Sequence, residues 1–367
     1  MRSFRFYIGT HASAGQDSLC LCEADFQSEV FTALHAMREI SDPTYLALSP
    51  DKILYTFRKA ADDLSVFAIR DRAVLNSLPC ASGGPCHICV DERGEFLLVA
   101  GYGSGTVSLY DLNSDGGLRS LCDFRRYSGV GYDSADRQKG AHAHFAVFYT
   151  ERDEVLVCDL GLDMTYVYEL DRESGKLRET NRSIRLPDGS GPRHLTFSDK
   201  HPGMLFVLTE MANTIFTYRF DPSSDNYVLV QQISAVYDSK SGASPSDPAL
   251  MQPATADNGS IGCAIRFTGD GKYLFVSSRL GYQSISAFRC DPDGKLTFVD
   301  RCLCGGITPR DFNLFESDDP GDQDVHLLVA NQDSNLITAL RFDRRDEKLT
   351  LLNMKMQVFK PTCILPV

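Results

Sequence analysis

Residues 84–112 read GPCHICVDERGEFLLVAGYGSGTVSLYDL: a short strand, a polar turn, a second apolar strand, a Gly-rich turn, and a third strand ending in an aromatic. The same order returns in residues 42–69 (DPTYLALSPDKILYTFRKAADDLSVFAI), 191–220 (GPRHLTFSDKHPGMLFVLTEMANTIFTYRF) and 262–290 (GCAIRFTGDGKYLFVSSRLGYQSISAFRC). Looser copies begin at Gly140 and Thr308. A seventh copy is split, with FRFYIGTHASAGQDSLCLCEA near the N-terminus supplying its later strands and KPTCILPV at the C-terminus its first. The copies start about 53 residues apart on average, the length of a four-stranded propeller blade. A fourth strand follows each third one, as in GKLRETNRSIRL, GKLTFVDRCL and EKLTLLNMKMQ, where a Gly- or charge-rich turn precedes alternating apolar residues. The pattern predicts an all-β fold, a seven-bladed β-propeller with four antiparallel strands per blade and one blade closed by the N- and C-terminal strands. It is expected to fill residues 1–367 as a single domain, with an irregular insertion at about 237–260.

Composition narrows the function. The 367 residues carry 37 Lys+Arg against 49 Asp+Glu, a formal charge of −12. That balance predicts no nucleic acid and no membrane surface as partner, because both need basic surface. No apolar run approaches the roughly 20 residues of a membrane helix, and the opening MRSFRFYIGT alternates like a strand. We therefore expect a cytoplasmic protein without a signal peptide, a monomer or weak homo-oligomer, whose twelve cysteines pack as reduced thiols. Cys86-His87-x-Cys89 alone hints at metal spacing, yet it has no second pair, and in a strand an offset of three faces opposite ways. The chain has no tryptophan, which excludes the WD type of propeller scaffold. It also lacks the loops that bind nucleotide or flavin and the GxSxG of serine hydrolases.

Superposing the copies aligns two columns of residues. Near the start of the first strand stand Thr44, Cys86, His144, Arg193, Cys263, Arg310 and Thr362. After the second strand stand His11, Lys59, Tyr102, Leu160, Glu210, Arg279 and Gln332. In a propeller, equivalent positions of successive blades form rings around one end of the axis. A solvated turn tends to repeat one residue type, whereas these columns differ in kind from blade to blade, as a binding site requires. They hold one carboxylate, Glu210, too few for a calcium ion that takes six to eight oxygens, so no cofactor and no metal are expected. Asp159 and Asp163 of DLGLD read as turn-capping residues.

YIGT at the start, GYGSGTVSLY, GAHAH at 140–144, DLGLD at 159–163, GSGPRHLTF at 189–197, TEMANTIFTY, SSR at 277–279, GGITPRDF at 305–312, VANQDSN at 329–335 and the closing PTC together resemble the seven-bladed propeller lactonase family. That family includes the propeller type of 6-phosphogluconolactonase and the fungal 3-carboxy-cis,cis-muconate lactonizing enzyme, and the resemblance covers essentially the whole chain. It implies a metal-independent lactone hydrolase of carbohydrate metabolism acting on a small anionic lactone, 6-phosphogluconolactone in the pentose phosphate pathway. A muconate-type cycloisomerase or a non-catalytic binding platform are the alternatives. It further implies His144, Arg193, Glu210 and Arg279 as catalytic residues. Arg310, His11, Lys59, Tyr102 and Gln332 are expected to bind substrate. His144 or Glu210 would take the proton of the attacking water; His144 is favoured, because nearby arginines lower a carboxylate's pKa and weaken it as a base. Thr209 and Ser278 stand where the family carries asparagines, which bears on substrate specificity.

Overall fold

The computed structural model describes residues 3–60, 63–236, 260–317 and 324–367; the expected insertion therefore lies outside the described residues but for Ser260. The chain is all-β, built of seven antiparallel sheets in the arrangement of a seven-bladed β-propeller. Six sheets have four strands and the seventh has four plus a short extra one, Ile184–Arg185. As the repeats predict, the C-terminal strand Pro361–Pro366 pairs with Ser3–Thr10, which continues into Leu19–Asp25 and Val30–Met37.

The strand order has a physical logic. Second strands such as Phe96–Gly101, Glu154–Asp159 and Met204–Thr209 are buried at every position, so both faces are covered and the sequence reads as an unbroken apolar run rather than an alternation. Fourth strands such as Ala73–Pro79 are largely exposed and alternate.

The chain divides into two compact units. The first comprises residues 1–6, 21–34 and 193–366. Phe275, Phe312, Leu327 and Phe342 lie at the centre of one of its cores, and Phe206, Leu208, Leu274 and Phe288 at the centre of another. The second comprises residues 7–20 and 35–192, with Val367. Its cores form around Tyr55, Phe57, Leu97 and Tyr110, and around Leu98, Val107, Val155 and Val157.

Within each unit an arginine that follows a third strand reaches back to the preceding blade. Arg172, after Met164–Asp171, binds Asp91 at 2.8 Å, Glu95 at 2.9 Å and Asp153 at 3.1 Å. Arg344, after Leu336–Asp343, binds Asp270 at 2.6 Å and Glu316. The two clamps occupy equivalent places in their blades.

Candidate active site

Four residues of the first column, Cys86, His144, Cys263 and Arg310, stand at irregularities of strand register. Opposite Phe96–Gly101, Pro85 pairs Gly101 and His87 pairs Ala100, which leaves Cys86 over. Ala143 and Phe145 pair Asp159 and Cys158, leaving His144 over; Pro309 and Asp311 pair Asn331 and Ala330, leaving Arg310 over. A further register shift falls at Cys263. A bulge releases one residue from the ladder and turns its side chain out of the sheet's alternation, so the repeat presents a different residue at the same place in each blade. Main-chain bonds of one kind repeat beside it, from Tyr102 N to Gly84 O at 3.1 Å, Leu160 N to His142 O at 2.9 Å and Gln332 N to Thr308 O at 2.9 Å. The second column follows from these bonds.

In the first unit the structure brings Arg193, Glu210, Arg279 and Arg310 into one cluster. Arg193 Nε donates to Glu210 Oε2 at 2.9 Å, and Arg279 Nη2 lies 3.3 Å from Glu210 Oε1. Glu210 is 1% exposed and so shares its charge between two guanidiniums. Arg193, 2% exposed, also donates from Nη1 to the Cys263 carbonyl and to His194 Nε2 at 3.0 Å. Since arginine only donates, His194 must accept there, and its proton sits on Nδ1. Arg310 is half-buried, with no carboxylate partner among the described residues. Burial, followed by the charges of Arg193 and Arg279, pushes its pKa down to about 10. Three cations against one carboxylate leave an excess of positive charge in a desolvated place, which an anionic ligand would relieve. Gln332, in the same unit, donates from its amide to Asp333 Oδ1 at 3.1 Å.

In the second unit a separate cluster surrounds Tyr102. The His142 ring stacks on Tyr102 with centroids 4.2 Å apart and 11° between planes, and His144 meets the same ring edge-on at 5.6 Å. His142 Nδ1 donates to the Tyr102 carbonyl at 2.8 Å. Asp159 Oδ1 accepts main-chain N–H groups from His142, Gly161 and Leu162 at 2.8, 2.9 and 3.2 Å. Burial raises the Asp159 pKa to about 6, against those hydrogen bonds. Gly161 is required here, because a Cβ would overlap the Gly140 carbonyl. Asp163 accepts from Gly189 N at 2.8 Å and Gly191 N at 2.7 Å, and from the buried Gln138 amide at 2.8 Å. Both aspartates of DLGLD therefore cap turns, as expected from sequence. His11 lies 3.3 Å from Asp42, and Lys59 Nζ stands 5.1 Å over the Phe57 ring.

Sequence reasoning missed the contacts of His194 and Gln138, and it placed His142 behind His144 as the family's histidine. GPRH carried the first as the neighbour of Arg193; nothing in the local pattern marks Gln138, whose burial depends on loop closure.

Residues 5–366 match the family model for Lactonase, 7-bladed beta-propeller. The chain belongs to this family. Within and around it, a Bacillus subtilis 6-phosphogluconolactonase is 30% identical over 372 residues, covering 99% of this chain and 98% of that protein. A Lactobacillus plantarum protein of known crystal structure is 28% identical, with a TM-score of 0.84 and all of both chains covered. A periplasmic gluconolactonase from Pseudomonas aeruginosa, 21% identical, shares the fold with a TM-score of 0.82 over 100% of this chain and 99% of that one. Thr209 and Ser278, which the resemblance sets against asparagines, have local partners. The Thr209 hydroxyl donates to the Thr214 carbonyl and accepts from its N–H, both at 3.0 Å. Ser278 Oγ donates to Asn213 Oδ1 at 3.1 Å. No helix among the described residues is long and apolar enough to cross a membrane, and the twelve cysteines are thiols rather than disulfides, none of them exposed.

Proposed function

We propose that the chain hydrolyses 6-phospho-D-glucono-1,5-lactone to 6-phosphogluconate. The observation that carries this reading is the cluster of Arg193, Arg279 and Arg310 around the single carboxylate of Glu210. Full-length similarity to the Bacillus subtilis enzyme supports the substrate.

The chemistry follows from the charges. Water attacks C1 of the lactone, the carbonyl oxygen becomes an oxyanion, and the C1–ring oxygen bond then breaks as the ring oxygen takes a proton. A guanidinium aimed at the developing oxyanion lowers that barrier. Arg279 is assigned this role, because at 15% side-chain exposure it reaches a ligand more readily than Arg193 at 2%. Arg193 and Glu210 hold the guanidinium array in register. Arg310, without a carboxylate of its own, is assigned to the phosphate. His11, Lys59, Tyr102 and Gln332 remain proposed as substrate-binding residues, and His144, ahead of Glu210, as the base. The guanidiniums supply the positive charge the oxyanion needs, so the mechanism is written without a metal. Cysteines kept as thiols suit a reducing compartment, and the proposal places the enzyme in the cytoplasm.

The test is purified protein with freshly generated 6-phosphogluconolactone, gluconolactone and a carboxymuconolactone, following acid release above the spontaneous rate. Acceleration of the phosphorylated lactone, lost by about 100-fold or more in Arg279→Ala, is the expected result. Turnover confined to the muconolactone, or none with any of the three, overturns the assignment.

A further inference from the structure

An arginine has five N–H donors in one rigid plane, and those of Arg193 divide into a held set and an open one. Nε donates to Glu210 Oε2 at 2.9 Å. Nη1 donates to the Cys263 carbonyl and to His194 Nε2 at 3.0 Å. These bonds use every hydrogen of Nε and Nη1. Nη2 has no partner among the described residues, and it does not belong to the buried atoms left without one. One end of the guanidinium is therefore fixed and the other is open to a ligand.

The acceptors that fix it differ in kind. Glu210 balances charge, and its other oxygen takes Arg279 Nη2 at 3.3 Å. The Cys263 carbonyl belongs to the main chain of the strand Ile261–Phe267. His194 is 2% exposed and lies beside Arg193 in the strand Pro192–Thr196. Its ring nitrogen accepts through a single lone pair in the plane of the imidazole, so this bond sets a direction that attraction between charges does not. All five residues belong to the first compact unit.

We propose that His194, through the lone pair of Nε2, is a positioning residue for the lactone reaction: it holds Arg193 so that Nη2 faces the substrate as a second donor beside Arg279. The proposal rests on the hydrolytic reading above. Arg193 then does more than keep the array in register. A donor aimed before the substrate arrives needs no reorganisation as charge develops on the carbonyl oxygen. Without the imidazole acceptor, Nη1 keeps a buried hydrogen with nothing to receive it, and the guanidinium turns to recover a partner.

The experiment is a double-mutant cycle on 6-phosphogluconolactone with wild type, His194→Leu, His194→Gln, Arg193→Ala and the variant carrying both His194→Leu and Arg193→Ala, each checked by thermal melt. Leucine fills the site without an acceptor, whereas glutamine brings a carbonyl oxygen to the reach of Nε2. We expect His194→Leu to lower kcat by about 10–100-fold with KM within a few-fold, and His194→Gln to recover most of that loss. In the Arg193→Ala background His194→Leu should cost nothing further, because its effect passes through that guanidinium. A kcat within three-fold of wild type in folded His194→Leu overturns the assignment. So does an equal loss in both backgrounds, which marks a packing residue, or a glutamine variant no better than leucine. Nitrogen-15 spectra of histidine-labelled protein add a readout that needs neither turnover nor a folded leucine variant. The ring missing from His194→Gln should show Nε2 unprotonated in the wild type, and a proton on Nε2 overturns the assignment. No turnover by the wild type removes the hydrolytic reading and this role with it, whereas an active wild type with an unaffected His194→Leu removes only this role.

Discussion

At the scale of single residues, the charge of Arg310 is the least comfortable feature of the free protein. Its guanidinium is partly withdrawn from water and set against Arg193 and Arg279, and both effects lower its pKa, to about 10. A basic group whose folded pKa lies below its ordinary value holds its proton more weakly in the folded chain than in the unfolded one. Its charged form therefore opposes folding at neutral pH, and stability recovers only as pH rises past about 10. Replacing it with a neutral side chain of similar length should stabilise the fold while weakening anion binding, the usual exchange at a site built for a ligand. Arg310→Met is expected to melt higher than wild type at pH 7 and to bind 6-phosphogluconate at least ten-fold more weakly by calorimetry. A variant that melts lower and binds normally would show that Arg310 is a packing residue. The sequence displayed Arg310 in its column, but not its lack of a carboxylate, because that depends on which acids of other strands come near.

Among elements, the bulge and the clamp show what a strand pattern reveals and what it hides. Alternation located the strands, since second strands buried on both faces are the apolar runs FLLVAG, EVLVCD and MLFVLT. It did not reveal that Cys86, His144 and Arg310 stand on bulges, because one inserted residue changes register without changing composition. The clamps were hidden in a similar way: Arg172 in LDRES and Arg344 in FDRRD look like hairpin turns, and their partners lie a blade away in DERGE and TGDGK. Asp91 is buried with its side chain fully covered, and Arg172 is 17% exposed. Removing the cation strands a buried carboxylate, a loss on the order of 3 kcal/mol. Arg172→Ala should therefore lower the denaturant midpoint clearly. Arg178→Ala, which removes a solvent-screened pair with Asp171, should shift it little. Equal effects from the two would mean that the clamp is an ordinary surface ion pair.

For the whole molecule, the repeat was legible because each copy must satisfy the same packing rules, so the period survives even where residues diverge. The split copy was legible for the same reason: PTCILP at one end completes the strand missing before FRFYIGT at the other. Three of the four catalytic residues expected from sequence, together with Arg310, form one cluster, because columns of a repeat translate directly into place. The place of Gln138 was not legible, because it depends on a loop that the repeat does not constrain. The split copy also makes a prediction about folding. Pro361, Thr362, Cys363 and Ile364 are buried. Ile364 donates its N–H to Asp311 at 3.0 Å and accepts from the Asn313 amide at 3.0 Å. Without the strand, Asp311, already 1% exposed and paired with Arg266 at 3.1 Å, loses a donor, and Ser3–Thr10 is left with an open edge. Two hydrogen bonds, one buried and one half-buried, at about 1 kcal/mol each and two apolar side chains at about 1.5–3 kcal/mol each amount to a large part of the roughly 5–15 kcal/mol that holds a protein folded. A chain ending at residue 360 should lose its cooperative melt and run as aggregate on size exclusion. Ile364→Ala in the full chain should stay folded at a cost of about 2–4 kcal/mol. A truncated chain that melts like the full one would mean that the terminal strand is dispensable and that the ring of repeats closes without it.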